Sequence, residues 1–242
     1  MLEEHMKKVI SLFSGAGGMD IGFEKAGFKI AVAVEIDTAC CETLLRNRPD
    51  LTIINENIET VTTQKILDAA NIKPLEAALV IGGPPCQPFS LAGQRKGLSD
   101  SRGKLLFEFA RVVRESLPSG FVLENVKGLQ NWDSGKALNL LIDELKKPIV
   151  FNGVTYQYDI SEPQVLNAVN FGVPQNRERI IIVGNRLGLK FKYPELQYGK
   201  YPLQPPKTVW DALKGLPPAH PPSDVALRVS QTIKGRREKH GF

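Results

Sequence analysis

Short apolar runs at residues 8–12, 30–34, 79–81 and 121–123 recur along this chain, and stretches with helical spacing stand between each run and the next. A strand apolar on both alternating faces must be covered on both sides. This order therefore selects a mostly parallel sheet wrapped by helices, an α/β doubly wound fold. Helices are predicted from the glycine loop after residue 14 to about 26, then to about 47, over 61–71 and over 104–117, with a further strand at 51–54. Ser134 reads as the cap of a helix whose Leu138, Leu141, Ile142 and Leu145 repeat every three or four residues. Asn152-Gly153, flanked by apolar triplets, predicts a hairpin turn. Residues 179–184 form a last apolar strand, expected to be antiparallel.

Composition enters mainly as exclusion. The net charge of +5 suits a polyanion partner without requiring one. The charged first eight residues lack the apolar core of a secretory signal, and no apolar stretch is long enough to cross a membrane, so a cytoplasmic protein with no membrane partner is expected. Three cysteines (Cys40, Cys41 and Cys86) then imply reduced thiols, and three scattered histidines give no metal site. Beyond residue 190 the texture changes: eight of the 17 prolines lie there, one short helical piece spans 208–213, and the end is basic through Arg228, Lys234, Arg236, Arg237 and Lys239.

Chemistry gathers at the ends of the predicted strands, where open parallel sheets bind ligands. Gly15, Gly17 and Gly18 follow the first strand, with a spacing unlike the dinucleotide fingerprint, yet they still let a backbone approach a ligand at a helix N-terminus. Glu35 ends the second strand, where a carboxylate can accept both hydroxyls of a ribose. Together they indicate a nucleoside cofactor, NAD being the generic choice, against a plain tight turn with a solvated Glu. Residues 82–90, Gly-Gly-Pro-Pro-Cys-Gln-Pro-Phe-Ser, hold Cys86 in a stiff loop after the third run. Glu124-Asn125 ends the fourth run on the same edge, where partial burial would make Glu124 a proton donor. Gln175, Arg177 and Arg179 share one face if the segment is extended, a pair of guanidinium groups fit to hold carboxylate or phosphate.

Taken in order, Phe13-Ser14-Gly15-Ala16-Gly17-Gly18, then Gly-Pro-Pro-Cys-Gln-Pro-Phe-Ser ending at Ser90, Ser101-Arg102-Gly103-Lys104-Leu105, Glu124-Asn125-Val126 and Gln175-x-Arg177-x-Arg179 resemble the cytosine-C5 DNA methyltransferases over roughly residues 8–185. The resemblance implies a Rossmann-like methyltransferase fold and S-adenosylmethionine, leaving S-adenosylhomocysteine, in place of NAD. By position, Phe13, Ser14, Gly15, Gly17 and Gly18 would shape the methionine side of its pocket. Glu35 would hold the ribose, Ile36 would flank the adenine, and Pro84 and Leu105 would complete the wall. Asn57-Ile58 stands where the family usually carries Asp-Ile, so the adenine amino contact is expected to be weakened or rearranged. Cys86 would attack carbon 6 of a flipped cytosine, Glu124 would protonate ring nitrogen 3, and Arg179 would orient that carboxyl. Asn125 would fix the loop, Gln175 and Arg177 would support the site and the DNA backbone, and residues 87–103 would close over the base.

The resemblance implies a division into a cofactor-binding catalytic domain, 1–190, and the start of an incomplete target-recognition region, 191–242. Single-chain family members carry two further segments. The expectation is therefore the N-terminal catalytic subunit of a split bacterial modification enzyme, partnered by double-stranded DNA and a second subunit, as against a truncated fragment. A transfer-RNA cytosine methyltransferase and a non-catalytic cofactor- or DNA-binding relative are the alternatives.

Overall fold

The computed structural model describes residues 7–85, 101–216 and 231–232. Strands β1 (Lys8–Leu12), β2 (Lys29–Val34), β3 (Ile53–Ile54), β4 (Leu79–Gly82) and β5 (Gly120–Val126) pair in parallel in the order β3-β2-β1-β4-β5. The strand order reverses between β1 and β4, which opens a crevice outside their carboxyl ends. Helices α1 (Gly18–Lys25), α2 (Thr38–Asn47), α3 (Thr63–Ala70), α4 (Ser101–Ser116) and α5 (Lys136–Lys146) make the crossovers and cover the faces. The expected α/β architecture is the observed one.

β1 is apolar on both faces, with Val9, Ile10 and Leu12 fully buried, because two separate cores press on it. The larger joins Ile10 and Leu12 to Phe109, Val113, Phe121, Leu123 and Leu141; the smaller joins Val9, Ile30, Leu44 and Ile81. Helix α4 buries Phe109, Ala110, Val112 and Val113 completely against the first of these. Edge-to-face stacking of Phe109 on Phe121 and of Phe121 on Tyr158 fixes the centre of that layer.

β6 (Ile149–Phe151) and β7 (Val154–Tyr156) form the hairpin, with Asn152 and Gly153 both at positive φ. The short strands β8 (Asp159–Ile160) and β9 (Gln164–Asn167), absent from the sequence reading, both pair with β10 (Glu178–Asn185). β10 lies antiparallel to β5, as expected, with Arg179 opposite Val126 and Ile181 opposite Glu124. The start of β10 therefore meets the end of β5.

The Ser134 cap is a correction. Ser134 sits at φ 57° in a 3₁₀ turn, Trp132–Gly135, and Gly135 at φ 84° is the residue that begins α5, without a side-chain cap. A serine in the left-handed region cannot take the extended backbone that N-capping needs.

After β10 the chain turns at Asn185, whose side chain binds Leu187 and Leu189, and runs back along the sheet edge. Tyr193 donates to Ile181 O, and Tyr198 pairs with Asn170. Helix α6 (Val209–Leu213) follows, opened by a capping box between Thr208 and Asp211.

Candidate active site

Glycine 17 caps α1 in the left-handed region at φ 83°, and a Cβ there would lie 2.6 Å from Arg48 Nη1 and 2.8 Å from Leu44 Cδ2. Glycine is favoured at this position, and Phe13 (φ 54°), directly after β1, and Gly15 (φ 53°) share the left-handed backbone. The loop is bound to the neighbouring strand end. Gly15 N–H donates to Glu35 Oε2 at 2.7 Å, while Asp37 N–H donates to Glu35 Oε1 at 2.9 Å. Each carboxylate oxygen keeps further acceptor capacity for a hydroxyl group.

Phe13, Val34, Glu35, Ile36, Asn57, Ile58, Glu56, Glu59, Pro85 and Leu105 surround a cavity of about 280 Å³ at the carboxyl edge of β1 to β4. Six of the expected cofactor residues line it: Phe13, Glu35, Ile36, Asn57, Ile58 and Leu105. Ser14, Gly15, Gly17 and Gly18 shape the loop behind it. Pro85, not Pro84, forms the wall; Pro84 is buried and its carbonyl faces β5. Asn57 turns back on its own turn, accepting from Glu59 N–H at 3.1 Å and donating to Glu59 Oε2 at 3.2 Å. Apolar walls around carboxylates fit a nucleoside: the faces suit a purine, and Glu35 suits a diol.

A second cluster stands at the end of β5. Arg179 Nε lies 2.8 Å from Glu124 Oε1, and Arg177 Nη2 lies 3.9 Å from the same oxygen. Gly83 makes room for this carboxylate, since a Cβ on it would meet Glu124 Oε2 at 3.0 Å. Asn125, buried, donates from Nδ2 to Pro84 O at 3.0 Å and accepts from Val126 N–H at 2.9 Å. Residues 83–85 thus touch both features, Gly83 facing Glu124 and Pro85 walling the cavity. Cys86 follows directly but lies outside the described residues, as does nearly all of the 87–103 segment. Gln175 is exposed in a bend before β10 begins, so the extended face shared with Arg177 and Arg179 does not reach it.

Two groups went unnoticed in the sequence. Asp20 is fully buried under the glycine loop, where Ser11 Oγ donates to its Oδ1 at 2.6 Å and Ser14 Oγ donates to Ser11 Oγ at 2.9 Å. Burial holds its carboxyl above the usual carboxylate range, the Ser11 bond opposing. Arg111 reaches from α4 to the turn carrying Ile58. Among the described residues no group of three or more His, Cys, Asp and Glu side chains forms a metal site, and no helix is long and apolar enough to cross a membrane.

Comparison with known proteins places these features. The family model for C-5 cytosine-specific DNA methylase matches residues 7–235. The chain is 58 % identical over 247 aligned positions to type II methyltransferase M.AquIA of Picosynechococcus, covering 98 % of this chain and 99 % of that protein. It is 41 % identical to type II methyltransferase M.PspPI of Psychrobacter, with 85 % of this chain and 45 % of that protein covered. M.AquIA aside, the chain spans about half the length of the curated relatives it matches. Among solved structures, a prophage-encoded protein of Escherichia coli described as a DNA modification methyltransferase superposes with TM-score 0.69 at 32 % identity, over 88 % of this chain and 56 % of that one.

Proposed function

The chain belongs to the C-5 cytosine-specific DNA methylase family, and from that premise we propose that it methylates carbon 5 of a flipped cytosine in double-stranded DNA, with S-adenosylmethionine as methyl donor and Cys86 as covalent nucleophile. The observation that carries this reading is the Glu124 carboxylate, held 2.8 Å from Arg179 Nε beside Gly83, three residues before Cys86. It shares a sheet edge with the cavity walled by Phe13, Glu35 and Pro85.

S-adenosylmethionine, when bound, supplies an electrophilic methyl group on sulfur. Phe13, Ile36 and Leu105 offer apolar walls to its adenine, and Glu35 offers acceptors to its ribose. Carbon 5 of cytosine is too weak a nucleophile to be alkylated unaided. Addition of the Cys86 thiolate to carbon 6 breaks the 5,6 double bond and makes carbon 5 enamine-like. Glu124, taken in its protonated form, gives a proton at ring nitrogen 3, which neutralises the charge that this addition develops, and takes it back when the thiolate leaves. Arg179 orients the carboxyl, and Asn125 fixes the backbone of the loop through Pro84 O. Once carbon 5 is alkylated, loss of its proton to water restores the double bond and expels the thiolate. A base stacked in a duplex hides carbon 6, so it must be extruded at a cost of a few kcal/mol.

We read residues 191–242 as the start of a target-recognition region, and the chain as the catalytic subunit of a divided modification enzyme whose partner carries the remainder. Support comes from the end-to-end correspondence with M.AquIA beside the half-length matches to longer relatives. The test is to co-express the chain with the product of the neighbouring reading frame and to assay tritium release from carbon 5 of labelled cytosine DNA. Turnover lost in Cys86→Ala is the expected result. No release by the parent complex, or unchanged release by the variant, overturns the reading.

A further inference from the structure

Arg111 stands six residues along α4 from Leu105, a cavity wall, and its guanidinium crosses to the opposite wall. Nη2 donates to Ile58 O at 3.1 Å and to Val61 O at 2.9 Å, while Nη1 donates to Thr63 Oγ1 at 3.0 Å. Glu108 at 2.6 Å and Glu115 at 3.4 Å hold the guanidinium from its own helix, and Thr63 Oγ1 donates in turn to Glu115. The turn it grips, residues 57–61, is shaped by bonds internal to itself: Thr60 N–H and Oγ1–H to Asn57 O, Val61 N–H to Ile58 O and Glu59 N–H to Asn57 Oδ1. Such bonds give the turn its form and leave its place undetermined. Burial of Ile58 and Val61 is apolar and non-directional. Arg111 bonds the main chain of this turn directly to α4, the helix that carries Leu105, and the Thr63–Glu115 bond joins the same helix to the residues just beyond it.

We propose that Arg111 is a positioning residue for the cofactor cavity: by fixing the 57–61 turn against α4 it sets the width of the site and therefore the affinity for the adenosyl group. This rests on reading that cavity as the S-adenosylmethionine site. The same helix contains a matched control. Arg114 Nη1 donates to two carbonyls, Glu144 O at 2.9 Å and Lys147 O at 2.8 Å, and ties α4 to the end of α5, away from the cavity. The two arginines are similarly exposed, 26 % and 22 %. Each variant removes a guanidinium clamped on two main-chain oxygens; only one of those clamps touches the cavity.

The experiment titrates S-adenosylhomocysteine calorimetrically into the co-expressed preparation, as parent, Arg111→Met, Arg111→Lys and Arg114→Met, with melting temperatures and steady-state kinetics alongside. Arg111→Met should bind about tenfold or more weakly, with KM for S-adenosylmethionine raised and kcat largely kept, whereas Arg114→Met should stay within about twofold despite a similar loss of thermal stability. Lysine keeps the charge without the fork, so Arg111→Lys should fall between, at about threefold or more, and it decides the matter should Arg111→Met fail to fold. Unchanged affinity in the Arg111 variants, or an equal loss in Arg114→Met, overturns the assignment. A parent that takes up no S-adenosylhomocysteine would instead defeat the cofactor reading, before any variant is compared.

Discussion

Removing the Asn125 amide tests how the cysteine loop is held. Asn125 is 3 % exposed, gives its Nδ2 proton to Pro84 O at 3.0 Å and takes the Val126 N–H at 2.9 Å. Asn125→Ala deprives a buried carbonyl of this donor and Val126 N–H of this acceptor. An orphaned buried polar group such as Pro84 O costs about 1–3 kcal/mol and the part-buried Val126 N–H adds less, so the unfolding free energy should fall by about 1–4 kcal/mol unless the loop shifts. A shift would show as lost turnover, because Cys86 lies two residues beyond Pro84. Asn125→Asp sharpens the test. Near neutral pH its carboxylate can still accept from Val126 N–H but has no proton for Pro84 O, and it sets two acceptors 3.0 Å apart. It should be at least as damaging as alanine. The assays are urea denaturation followed by circular dichroism and, in parallel, tritium release. An Asn125→Asp protein with parental stability and parental turnover would refute the reasoning.

Three further outcomes follow. Gly17→Ala should lower Tm by on the order of 2–8 °C, since a left-handed alanine costs about 1–2 kcal/mol and its Cβ meets Arg48 and Leu44; Gly18→Ala, with open space around it, should leave Tm nearly unchanged, and equal effects would count against the cap. Asp20 has its carboxyl raised in the folded state by burial, so its contribution is fully present below the unfolded value near 3.8 and is lost as pH rises through the folded one. Asp20→Asn should therefore gain on the parent in urea denaturation as pH rises from about 4, and a pH-independent difference would contradict this. Burial, followed by the charges of Asp37 and Glu35, pushes the Cys40 thiol up, and burial with Glu35 raises Cys41. Iodoacetamide at pH near 7.5 should thus label Cys86 first, as read by peptide mapping, and preferential labelling of Cys40 would show the reverse.

Much of the frame was legible because its signals are local. The runs at 9–10 and 79–81 set apolar side chains on both alternating faces, as a strand covered on both sides requires, and each delivers its chemistry to the same edge. The pairing of Glu124 with Arg179 was expected only from the family resemblance; in the fold it arises because the antiparallel β10 brings its start to the end of β5. β8 and β9, two and four residues long, carry too little periodicity to be read, and β10 supplies their pairing. Ser134 misled because serine also tolerates the left-handed turn it occupies. Which proline walls the cavity depends on the carbonyl that Asn125 captures, 41 residues away. Arg111 was invisible for a similar reason: its partners are main-chain oxygens about fifty residues earlier, and main-chain oxygens have no sequence signature.

The reversed direction of β10 has a further effect on how the molecule can be assembled. Its eight residues carry the polypeptide about 25 Å away from Glu124, to the rim of the sheet remote from any bound nucleotide. The segment from Leu189 to Tyr198 undoes that journey, passing Ile181 and reaching Asn170 next to the Arg177 corner. Whatever is spliced in beyond this return strap begins life at the catalytic rim with no demand on the eight strands behind it. On the reading proposed above, a recognition segment attached there can be exchanged, lengthened or carried by a separate polypeptide without altering the sheet.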